Sequence, residues 1–301
     1  MRIVSVLPSA TEIVCALGAR EQLVGRSAEC DFPPDVASVP VVMRARTLDA
    51  ERPSAEIDAR VRAARSRDES LYVLEVDRLR AAAPDLLLTQ DLCGVCSVTE
   101  AEVTRACNEA GVHPTIVSLS PRNLGEVWAS IETVGKAIDR GGEAGRLARE
   151  LRRRASPPPG PSVGRVAVVE WLDPPILAGL WAAEMVVAAG GTPVGPSAGE
   201  PGARTDWGHL ARLSSDLVVL SPCSFSVDRT RRELEDLTLA REVGASSPAR
   251  GTFVADEAYF SRPGPRLADG VDLLRTLLRG NPPQGPMPVV RWNAPPLEAG
   301  S

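Results

Sequence analysis

The chain is 301 residues long, room for two domains of ordinary size. It is 44% hydrophobic and 24% charged, the profile of a globular protein, and a formal net charge of -5 with no basic block speaks against nucleic acid as a partner. No apolar run reaches the ~20 residues a membrane helix needs, so membrane insertion is not expected.

Met1-Arg2 leads at once into Ile3-Val4-Ser5-Val6-Leu7, which predicts a first core strand over Arg2–Leu7. No charged, apolar and small-residue series precedes it, so no secretory signal is expected and the expected location is cytoplasmic. Six cysteines in a reducing compartment are thiols or metal ligands, not structural disulfides. Ser9 and Glu12 have capping-box spacing and predict a helix from Ala10, with Ile13, Val14 and Leu17 on its apolar face and Gly18 closing it. Its unpaired N–H groups point out of the strand end, where ligands bind in open α/β sheets. Short strands are predicted at Leu23–Gly25, Val39–Met43 and Tyr72–Val76, and a polar helix at Ser54–Arg67.

Ala83–Cys96 organises the first half. Leu86-Leu87-Leu88 predicts a strand buried on both faces, and the chain then turns polar at Thr89-Gln90-Asp91 and delivers Cys93 and Cys96. Thr99 and Glu102 repeat the capping-box spacing, predicting a helix over Glu100–Ala110, followed by a strand over Thr115–Leu119. Asn123 and Glu126 repeat it again, ahead of Leu124, Val127, Trp128, Ile131, Val134 and Ile138 at helical spacing. Gly141-Gly142 interrupts this helix, and a charged one runs from Glu143 to Ala155, its last turn holding the densest basic run, Arg152-Arg153-Arg154. The proline run Ser156–Pro161 then stiffens the boundary.

The second half repeats the first. Arg165–Val169 is an opening strand with Glu170–Pro175 as its exit, and Leu180–Ala189 and Trp207–Leu213 are helices. Asp216–Leu220 is a second buried strand, whose exit Ser221-Pro222-Cys223 again carries a cysteine. Gly251–Ala255 is a strand, its exit runs from Asp256 to Arg266, and Leu267–Leu278 is a helix. The expected division is an α/β lobe over 1–122, linking helices and a proline-rich connector over 123–162, a second α/β lobe over 163–280 and a mostly disordered tail over 281–301.

Candidate ligand contacts collect at strand exits: Pro8, Ser9, Arg44, Arg46, Gln90, Trp171, Trp181, Phe225, Tyr259, Phe260 and Arg262. If the exits face one another, the aromatic members either wall a cleft for a large flat ligand or plug the seam between lobes. Catalytic signatures are missing: no G-x-S-x-G elbow, P-loop or G-x-G-x-x-G follows a strand, and His113 and His209 read as surface residues. Cys93 and Cys96 read as a redox pair, as half of a thiolate metal site, or as small residues in a tight loop. Cys30 and Cys223 could complete a zinc or iron–sulfur site, whereas Cys15 and Cys107 fall on helix faces.

Several of these stretches together resemble the helical-backbone metal-receptor superfamily, the class III substrate-binding proteins of vitamin B12 and iron-chelate importers. Within it, Glu29–Asp31 (E-C-D), Gln90–Cys96 (Q-D-x-C-x-V-C), Glu170–Pro175 (E-W-L-D-P-P), Pro222–Phe225 (P-C-x-F) and Tyr259–Arg266 (Y-F-x-R-P-G-P-R) are similar to a cobalamin-binding-protein subgroup. The resemblance covers about Met1–Leu278. It implies two similar Rossmann-like α/β lobes joined by a backbone helix, with a corrinoid such as cobalamin, or a related metal chelate, bound between them. It implies binding without catalysis, little lobe motion, and an ABC permease as partner. The alternative is a cytoplasmic thiolate metal or redox protein on the same fold, since the cysteines are not needed by an ordinary B12-binding lobe pair.

Overall fold

The computed structural model describes residues 1–46, 51–67, 69–90, 98–244, 248–283 and 287–293. The first lobe runs β1 (Ile3–Ser5), α1 (Pro8–Ala16), β2 (Leu23–Ser27), β3 (Val41–Ala45), α2 (Ser54–Ser66), β4 (Tyr72–Leu74), α3 (Val76–Ala82), β5 (Leu86–Thr89), α4 (Glu100–Ala110) and β6 (Thr115–Ser118). Its strands lie in the order β4-β3-β2-β1-β5-β6, all parallel except the edge strand β4. Two helices follow, α5 (Leu124–Ala137) and α6 (Gly141–Arg154).

The second lobe contains β7 (Arg165–Leu172), β8 (Pro175–Leu177), α7 (Ala182–Ala188), β9 (Thr192–Val194), β10 (Ala203–Arg204), α8 (Trp207–Arg212), β11 (Leu217–Leu220), α9 (Val227–Glu233), α10 (Leu237–Gly244), β12 (Thr252–Ala255), α11 (Leu267–Leu278) and β13 (Val289–Trp292). Its order is β10-β8-β7-β11-β12-β13, with β9 pairing β7; β8, β10 and β13 run antiparallel to their neighbours. The two organising strands, β5 and β11, thus lie in different sheets, as the repeat in the sequence requires. Among the described residues no helix is long and apolar enough to cross a membrane.

Alternation along the strands builds the cores. Ile3, Leu86 and Leu88 point into one core and Val4 and Leu87 into another on the opposite face. In the second sheet Val166, Val168, Leu217 and Val219 enter the same core as Ile3 and Leu86, while Ala167, Val169, Val218 and Leu220 face a separate one. One face of each sheet therefore packs into a single apolar mass that also holds Trp128 and Ile131 of α5, Leu151 of α6, Met185 of α7 and Leu274 of α11. Polar ties reinforce it. Arg154 reaches Asp269 at 2.5 Å and Asp272 at 2.6 Å on α11, and Glu184 of α7 accepts the Leu124 N–H at 2.6 Å.

Several local expectations change. The predicted box at Thr99 forms: Thr99 Oγ1 accepts from the Glu102 N–H and the Glu102 carboxylate takes the Thr99 N–H at 2.8 Å. Asn123 Oδ1 likewise accepts the Glu126 N–H, at 2.9 Å, but the box is not closed: the Glu126 carboxylate takes the Arg122 N–H at 2.6 Å and the Asn123 side-chain amide at 2.8 Å. The box at Ser9 does not form. α1 begins at Pro8 with no side-chain cap, and Glu12 is drawn away by guanidinium groups of the second lobe. Glu170–Leu172 continues β7 and turns back through β8, so Trp171 stands on a hairpin and not in an open exit. The tail is not wholly irregular, because β13 adds to the edge of β12.

The α5–α6 hairpin depends on Gly135. A Cβ there would overlap the Ala144 Cβ and crowd the Arg140 carbonyl. Two backbones held this closely cannot give way as a flexible side chain would. Gly135→Ala is expected to lower stability by about 1–3 kcal/mol despite the better helix propensity of alanine. Urea unfolding measures this, and an unchanged midpoint would show that the hairpin relaxes freely.

Candidate functional site

Residues at the C-terminal ends of strands in the two sheets meet across the lobe boundary. From the first lobe come Glu12 on α1 and Asp31 and Phe32 beyond β2. From the second come Glu257 and Tyr259 in the 3₁₀ turn after β12, and Arg262 and Arg266 just beyond it. Arg262 binds Asp31 in a bidentate pair, Glu257 at 2.6 Å and Glu12 at 3.4 Å. Arg266 holds both oxygens of Glu12, at 2.5 and 2.9 Å, and lies 4.3 Å above the Phe32 ring and 5.3 Å from that of Tyr259. Glu12 and Glu257 are buried. Burial pushes the Glu257 carboxyl up to about 7 against the pull of Arg262. Burial also pushes Asp31 up, but its hydrogen bonds to Arg262 outweigh this and hold it below the usual carboxylate range.

A second set of contacts involves α2. Trp171 and Phe225 stand at the ends of β7 and β11 with ring centroids 5.3 Å apart, tilted by 51°. The Arg229 guanidinium lies 4.3 Å from the Phe225 centroid and pairs with Glu233 at 2.7 Å. Onto this surface the first lobe lays the start of α2. The Ser54 N–H donates to Glu233 at 2.7 Å, the Trp171 indole donates to the Ser54 carbonyl at 3.3 Å, and Arg229 donates to the Arg52 carbonyl. Arg204 on β10 pairs with the buried Asp58 of α2. Two cavities, of about 580 and 360 Å³, lie elsewhere, one between α5, α6 and α7 and one between α2 and the start of β4.

The structure gathers some predicted contacts and disperses others. Trp171, Phe225, Tyr259 and Arg262 meet first-lobe residues or the α2 contact as described. Trp181 and Phe260, expected to face a cleft, are buried in the shared core, where the Trp181 indole donates to the Phe260 carbonyl at 2.7 Å. Their rings have no free face for stacking. Arg44 pairs with Glu75 at 2.8 Å, and exposed Arg46 borders the smaller cavity with Arg60 and Arg67. Pro8 is half-buried and Ser9 buried at the start of α1, with the Gly264 backbone against Ser9. Gln90 is half-buried just past β5.

Cys93 and Cys96 lie outside the described residues. Cys30 is buried, takes a hydrogen bond from Thr11 Oγ1 at 3.1 Å, and is pushed up to about 11 by burial. Burial, with Glu257 and Glu170 nearby, pushes Cys223 up to about 12. Among the described residues no three His, Cys, Asp or Glu side chains are placed to hold a metal ion. Sequence reasoning missed Glu12, Glu257 and Arg266 of the ion-pair network, and Asp58, Arg204, Arg229 and Glu233 of the α2 contact. Arg266 closes the Y-F-x-R-P-G-P-R stretch and Asp31 closes E-C-D, so those motifs were the available signal.

Two sheets joined by a helix pair, with strand ends apposed, match solved structures over nearly the whole chain. The fold is shared with periplasmic heme-binding proteins. A periplasmic heme binding protein from Pseudomonas aeruginosa is 20% identical, with a TM-score of 0.66 over 94% of this chain and 95% of that one. The periplasmic heme binding protein HutB of Vibrio cholerae is 15% identical, with a TM-score of 0.63 over 92% and 98%. The periplasmic vitamin B12 binding protein BtuF of Vibrio cholerae is 17% identical, with a TM-score of 0.58 over 92% and 96%. No protein-family model matches the chain, and no curated protein does.

The Glu257 shift sets a pH dependence. Its folded pKa lies above the ordinary value of 4.5, so its contribution to stability is complete below 4.5 and is lost as pH rises through about 7. Relative to Glu257→Gln, the wild type is expected to lose up to about 1.4 kcal/mol per pH unit inside that window. Thermal unfolding of both proteins in steps from pH 5 to 8.5 measures it; a constant difference would mean Glu257 titrates as in the unfolded chain.

Proposed function

We propose that the protein binds a flat metal chelate of the corrinoid or heme class between its lobes, as the substrate-binding component of an ABC-type importer, and does no chemistry on it. The observation that carries this reading is the fold, matched over 92% or more of the chain by proteins described as heme- or vitamin B12-binding. The seam adds chemical support. Half-buried Trp171 supplies aromatic surface, backed by the buried Phe225 ring, and Arg204 and Arg229 nearby supply donors for polar substituents at a chelate's edge. Cobalamin is the ligand that the sequence motifs favour, and hemin is its nearest competitor. Delivery to an importer requires the protein on the outer side of the membrane. Fractionation of the native source therefore decides the partner: a cytoplasmic protein keeps the chelate and loses the permease.

Titration of protein purified without oxygen, with cyanocobalamin and with hemin, tests the reading by absorbance and calorimetry. One of the two is expected to bind, and Trp171→Ala to weaken it by about 1–3 kcal/mol through loss of one large aromatic contact. Binding of neither compound, even after Asp58→Asn loosens the α2 contact, would reject the reading.

A further inference from the structure

We infer that the start of α2 is an internal occupant of the second lobe's ligand subsite, held by the donors a chelate would use and displaced when the chelate binds. This rests on the chelate reading above. The donors involved are the Trp171 indole, Arg229 and Arg204. They currently hold the Ser54 carbonyl, the Arg52 carbonyl and the Asp58 carboxylate. Two carbonyls and a carboxylate over an aromatic pair match the periphery of a flat macrocycle bearing amide or carboxylate arms. Such a ligand could take over the same donors.

The cost of opening singles out this contact. Parting the network around Glu12 would leave that buried carboxylate without Arg262 and Arg266, which is expensive. Undocking α2 leaves no buried charge alone. Asp58 keeps Arg62 on its own helix at 3.0 Å, and Glu233 keeps Arg229 at 2.7 Å. The contact is also imperfect, because the Ser54 hydroxyl is fully buried and has no hydrogen-bond partner. Apolar packing of the second half of α2 is a small cluster of Val61, Ala64, Leu71 and Tyr72, which touches a larger core through Tyr72. Trp171 is half-buried with its indole N–H on the Ser54 carbonyl, so a chelate that uses this donor displaces the start of α2.

Two variants test this without touching the second lobe. Asp58→Asn removes the charge that Arg204 holds. Ser54→Pro removes the N–H that Glu233 holds while keeping the helix, since proline suits the first helical position and Pro53 is already extended at φ -54°, ψ 145°. Hydrogen exchange is read on the peptide spanning α2, and association rates with cyanocobalamin and with hemin by stopped flow. Both variants are expected to raise exchange in α2 by about tenfold, with the β1 and β5 peptides unchanged. The association rate and affinity should rise by a similar factor, about tenfold, because the open form is no longer a minor species. Unchanged α2 exchange in both variants overturns the inference. So does raised exchange with wild-type rates of binding, which would leave the chelate reading standing. Raised exchange with neither compound bound by any of the three proteins overturns both.

Discussion

The apolar mass shared by the two sheets is the constraint on which the other features depend. Each sheet gives it one face, and α5, α6, α7 and α11 complete it. Within it α6 packs on α11, so parting the lobes as rigid bodies would return the apolar side chains of that contact to water together. Each large aliphatic side chain so exposed would cost roughly 1.5–3 kcal/mol, which a bound ligand would have to offset. Access to the boundary must then come from smaller elements that lie outside this core.

Charge is distributed along the boundary in keeping with that rule. Glu12, Asp31 and Glu257 surround Arg262 and Arg266, so each buried charge has an opposite one in reach. An arrangement of this kind adds little net stability compared with apolar packing, but it penalises any misalignment of the lobes because a displaced partner strands its mate. The α2 contact uses the same chemistry at the surface of the fold, where water and neighbouring side chains can replace the partners.

Much of the architecture was legible because local pattern and tertiary role agreed. Leu86–Leu88 reads as a doubly buried strand and is one, and Leu267–Leu278 has the bounds its periodicity predicts. Thr99–Glu102 and Ser9–Glu12 have the same spacing and opposite outcomes. The difference is Arg266, 254 residues from Glu12, and no local window contains that competition. Trp181 and Phe260 read as cleft walls from their positions near strand exits, but an indole N–H that finds a backbone carbonyl can be buried whole. α9 has no apolar stripe to reveal it, because Arg229 occupies the buried position, laid over Phe225. The α2 contact was illegible for a related reason: its groups are polar and their partners lie more than a hundred residues away.

The pairing of β13 with β12 bears on how the molecule coexists with copies of itself. Thr252-Phe253-Val254-Ala255 is a buried, mostly apolar strand, and without a neighbour it would offer a row of free N–H and C=O groups at the margin of the sheet. β13 saturates that row, and Arg291 places a guanidinium 6.0 Å from the Phe253 ring. The new margin is four residues long and carries a charge, a poor template for another chain to extend. The chain's own last described strand thus acts as a selvedge that keeps the second sheet from growing by recruitment.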